Sequence, residues 1–318
     1  MIRETMGDII NSICFKENSI SWVLAEINSG QSITVKKVVE SPLPFIINYD
    51  NLQKPTTALQ IANHIKSLAA ANELNFQNVR FLLSAKFAMI KKIRVDQYLP
   101  QSELSEVVRA ELSHVLTDAI EDYFIYEPDY LHENESYKEL LAVTIRKDFF
   151  NFVQQIGKEA GLPVTKVNLN CFSIDEIYRR FYPNLMGQTL LVNFSEKGFE
   201  FVISDETNFL NYIFKPYSKS LQSINQLDER EILSNFTSLV DSIQHPDTVD
   251  LPLYSFSQIF LFGNNFKTHW LNNLKQQFSI PVKCFDPTST SEWQVIVEDD
   301  NFTASGAYRF LEPLSNIF

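Results

Sequence analysis

The sequence predicts an α/β protein built from two like-ordered halves, each running strand, strand, strand, helix, strand, helix. Three observations lead there. Residues 9–15, 20–27 and 32–40 form one triple of short, apolar-rich segments with turn-forming links, and residues 188–194, 198–204 and 208–214 form a second. Each triple precedes an amphipathic helical stretch and then a continuous apolar run, at 79–84 and 259–262, of the kind found in buried strands. Between them, residues 87–146 form a block with strands and a helix of its own.

In chain order, the links KENS and NSGQ make the first triple a meander. After Pro42, Pro44 and Pro55, a stripe of Ala58, Ile61, Ala62, Ile65, Leu68 and Ala69 predicts a helix. Residues 79–84 read as a central strand. In the block, residues 87–95 read as a strand ended by Pro100. Residues 102–116 read as a helix with Leu104, Val107, Val108, Leu112, Val115 and Leu116 on one face, and 122–131 and 138–146 as two further strands. A helix over 148–160 ends at Gly161, a natural left-handed cap, with Pro163 as a stop. Residues 163–172 read as a strand, and Ser173 with Glu176 as a capping box for a helix over 173–181. After the second triple come a helix near 227–243, a strand at 259–262, a helix at 266–278, a strand at 280–284 and a last helix near 303–311. The divisions that follow are 1–86 with 147–185, the block 87–146, and 186–318 with a helical insertion near 216–256.

The chain has 318 residues and a net charge of −12, with no basic run, which argues against binding a phosphate backbone. Only 8 glycines are present, few for loops that wrap phosphates. Cys14, Cys171 and Cys284 are far apart in apolar, strand-like contexts and read as buried reduced thiols, as in a cytoplasmic protein. No signal-peptide core follows Arg3, Glu4 and Asp8, and no apolar run reaches the ~20 residues of a membrane helix. The 5 histidines show no metal-ligand spacing.

The order of elements, with KFAMIKKIRV, LLAVTIRKDFFNFVQQIGKEAGLPVTKVNLNCFSI and FTASGAYRFL, resembles the actin-like (RNase H-like) superfamily, in particular its PilM/FtsA branch; an uncharacterised bacterial actin-fold family is an equal home. The resemblance implies duplicated βββαβα halves, a first half of type 1A and a 1C-like inserted subdomain. It also places a nucleotide site on three loops. The first is Cys14-Phe15-Lys16-Glu17-Asn18-Ser19, where the pattern would have Asp-x-Gly. The second is Asn193-Phe194-Ser195-Glu196-Lys197-Gly198, and the third is Gly263-Asn264-Asn265 after the strand IFLF. The candidate vestigial contacts are Cys14, Lys16, Ser19, Asn193, Ser195, Gly263 and Asn264. Both acids are gone, a thiol is a poor Mg²⁺ ligand, and Glu196 would repel a phosphate. No catalytic residue, metal site or cofactor is therefore expected, with ATP or ADP and Mg²⁺ as the alternative.

The resemblance implies a non-catalytic scaffold or adaptor in a pilus, secretion-like or cell-envelope assembly. Its partner would be a protein or peptide, a membrane-anchored one included, held in a groove beside the inserted block. The alternatives are an ATP-binding switch or atypical ATPase or kinase, and a self-associating subunit such as a homodimer or filament. The polar helix face of Glu103, Glu106, Arg109 and Glu111, and the tyrosines Tyr123, Tyr126 and Tyr130, are candidate partner surfaces; the plainer readings are a solvated face and core packing.

Overall fold

The computed structural model describes residues 8–126, 130–133, 136–218, 222–245, 253–290 and 292–318. The first triple folds as an antiparallel meander, β1 (Asp8–Phe15), β2 (Ser19–Asn28) and β3 (Ser32–Pro42). A single turn, α1 (Tyr49–Leu52), precedes α2 (Pro55–Ala71), which has proline in its first turn, where no backbone donor is needed. The strand β4 (Val79–Leu83) then pairs parallel to β1. The block follows as β5 (Ala88–Asp96), α3 (Gln101–Ser113), β6 (Tyr123–Tyr126), β7 (Tyr130–Glu133) and β8 (Tyr137–Arg146). The first half resumes with α4 (Lys147–Ala160), β9 (Val164–Leu169) and α5 (Asn170–Phe181). Gly161 takes the left-handed cap at φ 71°.

The second triple is β10 (Gln188–Phe194), β11 (Gly198–Ser204) and β12 (Phe209–Pro216). Next come α6 (Glu229–Gln244), β13 (Phe256–Phe262), α7 (Trp270–Gln277) and β14 (Val282–Cys284). The chain closes with β15 (Gln294–Val297), α8 (Asp300–Ala304) and α9 (Leu311–Ser315).

Two sheets carry the architecture. One runs β15-β3-β2-β1-β4-β9 and the other β12-β11-β10-β13-β14. Without β15, the two have the same order: three antiparallel strands, then two parallel ones reached through helical crossovers. The sequence-predicted duplication is thus a duplication of topology. The second sheet is buried on both faces. Leu190, Val192 and Phe194 of β10 face the second-half core, while Leu191 and Phe260 face the first. Such strands read as continuous apolar runs rather than alternating ones. The block has its own sheet, β5-β8-β6 with β7 also on β8, and a small core around Leu104, Val108, Leu112 and Leu140.

Several boundaries depart from the sequence reading. The helix expected at 173 begins at Asn170, so Cys171 lies on a helix rather than a strand, and Ser173 is not a cap. Its buried hydroxyl instead accepts a hydrogen bond from Asn168 at 2.8 Å. The reason is that β9 runs into α5 without a loop. The stretch 122–131 is not one strand but β6 and β7, both paired to β8. The last helix is interrupted: Gly306, at φ 90°, separates α8 from a 3₁₀ turn and α9. The strand β15 escaped the sequence reading. It pairs parallel to β3, and α9 packs on α5, β1 and β2, so residues 294–318 belong in space with the first sheet despite their place in chain order.

Asp299 fastens that returning segment. Its carboxylate accepts the Val38 amide at 3.0 Å, where β3 bulges, and the Asn301 amide at 3.0 Å as the cap of α8. Burial pushes its carboxyl upward, but these donors and Lys37 outweigh burial and hold it below the ordinary 3.8. A depressed carboxyl contributes stability that is present above the unfolded value and lost as pH falls through the folded one. Asp299→Asn is therefore expected to cost about 1–3 kcal/mol at neutral pH and to flatten the acid limb of stability below pH 3.8, measured by urea unfolding across that limb.

Candidate functional site

The three loops picked out in the sequence meet between the halves. The β1–β2 turn closes with the Lys16 amide donating to the Ser19 carbonyl at 3.0 Å, and the β10–β11 turn with the Ser195 amide donating to Gly198 at 3.1 Å. Together with Asn264 they line a cleft of about 280 Å³, just below the roughly 300–1,000 Å³ usual for small-molecule sites. Lys16, Ser19, Asn193, Ser195 and Asn264 all line it. Cys14 lies buried on β1, and burial, reinforced by Glu312, pushes its thiol far up, so it stays protonated. Gly263, at φ 108°, sits behind Asn193: a Cβ there would stand 2.2 Å from Asn193 Oδ1 and 3.0 Å from the Phe194 amide nitrogen. The glycine thus serves the close approach of two loops. Phe266 turns into the second-half core against Phe194 and Trp270 rather than into the cleft.

The remaining cleft residues were not singled out by the sequence reading, and they set its electrostatics. Lys16 Nζ stands 3.2 Å from Glu312 and also donates to Asn264 Oδ1. Lys86 reaches Glu17 at 3.4 Å, Glu200 at 3.7 Å and Ser195 Oγ at 3.2 Å. Lys197 meets Glu17 at 3.1 Å, Arg309 meets Glu40 at 3.1 Å, and Asn264 donates to Glu40. Asn170 donates to both Glu200, at 2.7 Å, and Glu312, at 2.9 Å. Burial raises the Glu200 carboxyl, with Lys86 pulling it back and Glu312 adding to the rise. Burial would lower Lys16, but the groups around it, Glu312 foremost with Glu40, together outweigh burial and hold the ammonium above its ordinary value. One signal for these residues was available: Glu200 and Glu312 interrupt the apolar runs GFEFVIS and FLEPL. A charge in such a run is buried only with partners.

These residues do not fit a magnesium nucleotide. Four carboxylates, Glu17, Glu40, Glu200 and Glu312, are each already satisfied by a cation or an amide, and Glu196 also faces the space. Phosphates would enter beside carboxylates and compete with them for the same lysines. Among the described residues no group of three or more His, Cys, Asp or Glu is placed to hold a metal.

No protein-family model matches the chain, and no curated protein matches it. Solved structures do. A PilM–PilN type IV pilus biogenesis complex aligns over 96% of this chain and 97% of that one, at 16% identity and TM-score 0.73. The fold is actin-like. The cytoplasmic domain of EpsL, an inner membrane component of the type II secretion system of Vibrio cholerae, covers 80% of this chain and 82% of its own at 12% identity and TM-score 0.49. A Bacteroides thetaiotaomicron protein with actin-like ATPase fold and unknown function covers 92% and 96% at 11% identity and TM-score 0.47.

A second concavity, about 1080 Å³, lies where the inserted block meets the actin-like halves. Phe124, Ile125 and Tyr126 of β6 line it in succession, and so do Lys166, Val167, Asn168 and Leu169 of β9. Consecutive strand residues point to opposite faces, so an unbroken lining means that strand edges border the groove. Both strands are outermost in their sheets. The floor is Leu141, Val143 and Ile145 of β8 with Phe172 of α5 and Phe209 of β12. At the rim, Arg179 pairs with Asp175 at 2.5 Å and Arg180 with Glu176 at 2.7 Å. Tyr126 is 66% exposed and Phe124 is 43% exposed at the mouth, while the side chain of Tyr130 lies outside the described residues. The polar face of α3 is solvated: Glu103 and Glu106 are exposed, and Arg109 and Glu111 pair with Glu121 and Lys91.

Gly263→Ala is expected to destabilise the protein by at least about 2 kcal/mol, since it adds a strained φ, a clash with the Asn193 side chain and tight contact with the Phe194 backbone. Urea unfolding of the two proteins measures it; Gly161→Ala, where a Cβ meets nothing within 4 Å, separates the cost of φ from that of contact.

Proposed function

We propose that the protein is a non-catalytic actin-fold scaffold, located in the cytoplasm, that binds an extended segment of a protein partner in the groove beside the inserted block. The observation that carries this reading is that β6 and β9, each with an edge that no described strand pairs, border the same groove over an apolar floor. An extended chain laid there would find backbone donors and acceptors on both sides and apolar pockets for alternate side chains, the mode of strand addition. The likeness of fold to PilM in its complex with PilN supports a partner from a pilus or secretion-like assembly, a membrane-anchored one included. Among the described residues no helix is long and apolar enough to cross a membrane. The cleft chemistry supports a role without catalysis, because its lysines are spent on carboxylates of the chain itself.

The test uses short peptides from the cytoplasmic ends of membrane-anchored proteins encoded in the same genome, titrated by fluorescence polarisation. One of them is expected to bind with micromolar affinity, and Tyr126→Asp to weaken it at least about tenfold while leaving stability within about 0.5 kcal/mol. Equal binding by Tyr126→Asp, or no binding by any peptide, sinks the groove assignment. Calorimetry with ATP and Mg²⁺ addresses the competing switch reading, which micromolar affinity for the nucleotide would favour.

A further inference from the structure

We propose that the chain's own carboxylates occupy the place of an anion in the cleft and hold the two halves together without a ligand. This inference goes beyond the groove assignment and stands independently of it. Side-chain ties cross between the halves at the cleft: Lys86 to Glu200 at 3.7 Å and to Ser195 at 3.2 Å, Lys197 to Glu17 at 3.1 Å, Asn170 to Glu200 at 2.7 Å, Lys16 to Asn264, and Asn264 to Glu40. The segments they join are the two hairpin turns, the Gly263 loop and the 85–87 turn after β4 that carries Lys86, the segments that would embrace a ligand between the halves. Glu200 and Glu312 are each only 4% exposed, so their charges are stable there only with Lys16, Lys86 and the Asn170 amide against them. The three cations that line the cleft, Lys16, Lys86 and Arg309, are all engaged in this way.

An anion entering the cleft would have to take a lysine from a buried glutamate and leave that glutamate unpaired beside its own charge. The carboxylates therefore act as a built-in substitute: they neutralise the lysines, join the hairpin turns and exclude a polyphosphate. Removing both charges while keeping the side-chain shape would leave Lys16 without its carboxylate and Lys86 with Glu17 alone, opening an anion site and loosening the ties between the turns.

Hydrogen exchange read by mass spectrometry tests this on the whole chain. In the unaltered protein, exchange at residues 14–20 and 193–199 is expected to stay unchanged on adding millimolar Mg-ATP or inorganic pyrophosphate. In the double variant Glu200→Gln/Glu312→Gln, exchange at both turns is expected to speed up at least about tenfold, with pyrophosphate restoring protection. Protection gained by the unaltered protein with either anion overturns the proposal. So does exchange in the variant at the original rate. Failure of pyrophosphate to slow the variant overturns the claim that the carboxylates stand in an anion's place. Should the double variant not fold, Glu40→Ala at the rim removes the acceptor shared by Asn264 and Arg309 and frees both from it. Exchange at 263–266 is then expected to rise at least about threefold, and an unchanged rate there overturns the lock.

Discussion

The amide of Asn170 is the contact on which the arrangement of the halves depends. Its Nδ2 donates to Glu200 of the second half and to Glu312 of the returning C-terminal segment. Its Oδ1 accepts the Ala85 amide at 2.9 Å, which sets the turn that carries Lys86 toward Glu200. One side chain thus has its amide oxygen and both hydrogens in use, holding three segments distant in sequence, in a setting where an unpaired polar group would cost about 1–3 kcal/mol. The position of Asn170 follows from the direct run of β9 into α5, which sets the first turn of that helix against Glu200 and Glu312, two residues that line the cleft.

The helix that begins at Asn170 also builds the groove. Phe172, Asp175, Glu176, Arg179 and Arg180 line it, so α5 touches the cleft at one end and the groove along its side. Asp175 is buried and held by Ser204 and Arg179, which ties α5 to the second sheet at the level of the groove. Phe172 packs on Phe209 with ring centres 4.7 Å apart. Cleft and groove therefore share one rigid element rather than standing as separate features.

The returning segment completes the first half. β15 covers the edge of β3, which would otherwise be an exposed strand, and α9 buries Leu311 and Leu314 on the first core. Of the two large sheets, the first is left with β9 as an open edge beside the groove, where β6 offers a second. Among the described residues one outer edge of this sheet is covered and the other is not, and the proposed strand addition in the groove rests on that difference.

The sequence by itself determined the two strand triples, their helices and the inserted block, because apolar periodicity and turn residues act over a few neighbouring positions. It also shows that the loops at Lys16, Asn193 and Gly263 (CFKENS, NFSEKG and GNN) hold no aspartate and only Gly198 and Gly263 as glycines. It did not place Asn170 in a helix, since nothing in VNLNCFS marks where a strand passes into a helix without a loop. It did not show β15, whose four residues acquire their pairing only from β3, more than 250 positions earlier. Nor did it show that Glu17, Glu40, Glu200 and Glu312 would meet Lys16, Lys86 and Arg309. Ion pairs between residues so distant leave no periodic trace in a single chain. Only the closing of one half against the other brought the lysines and glutamates of these distant segments into contact.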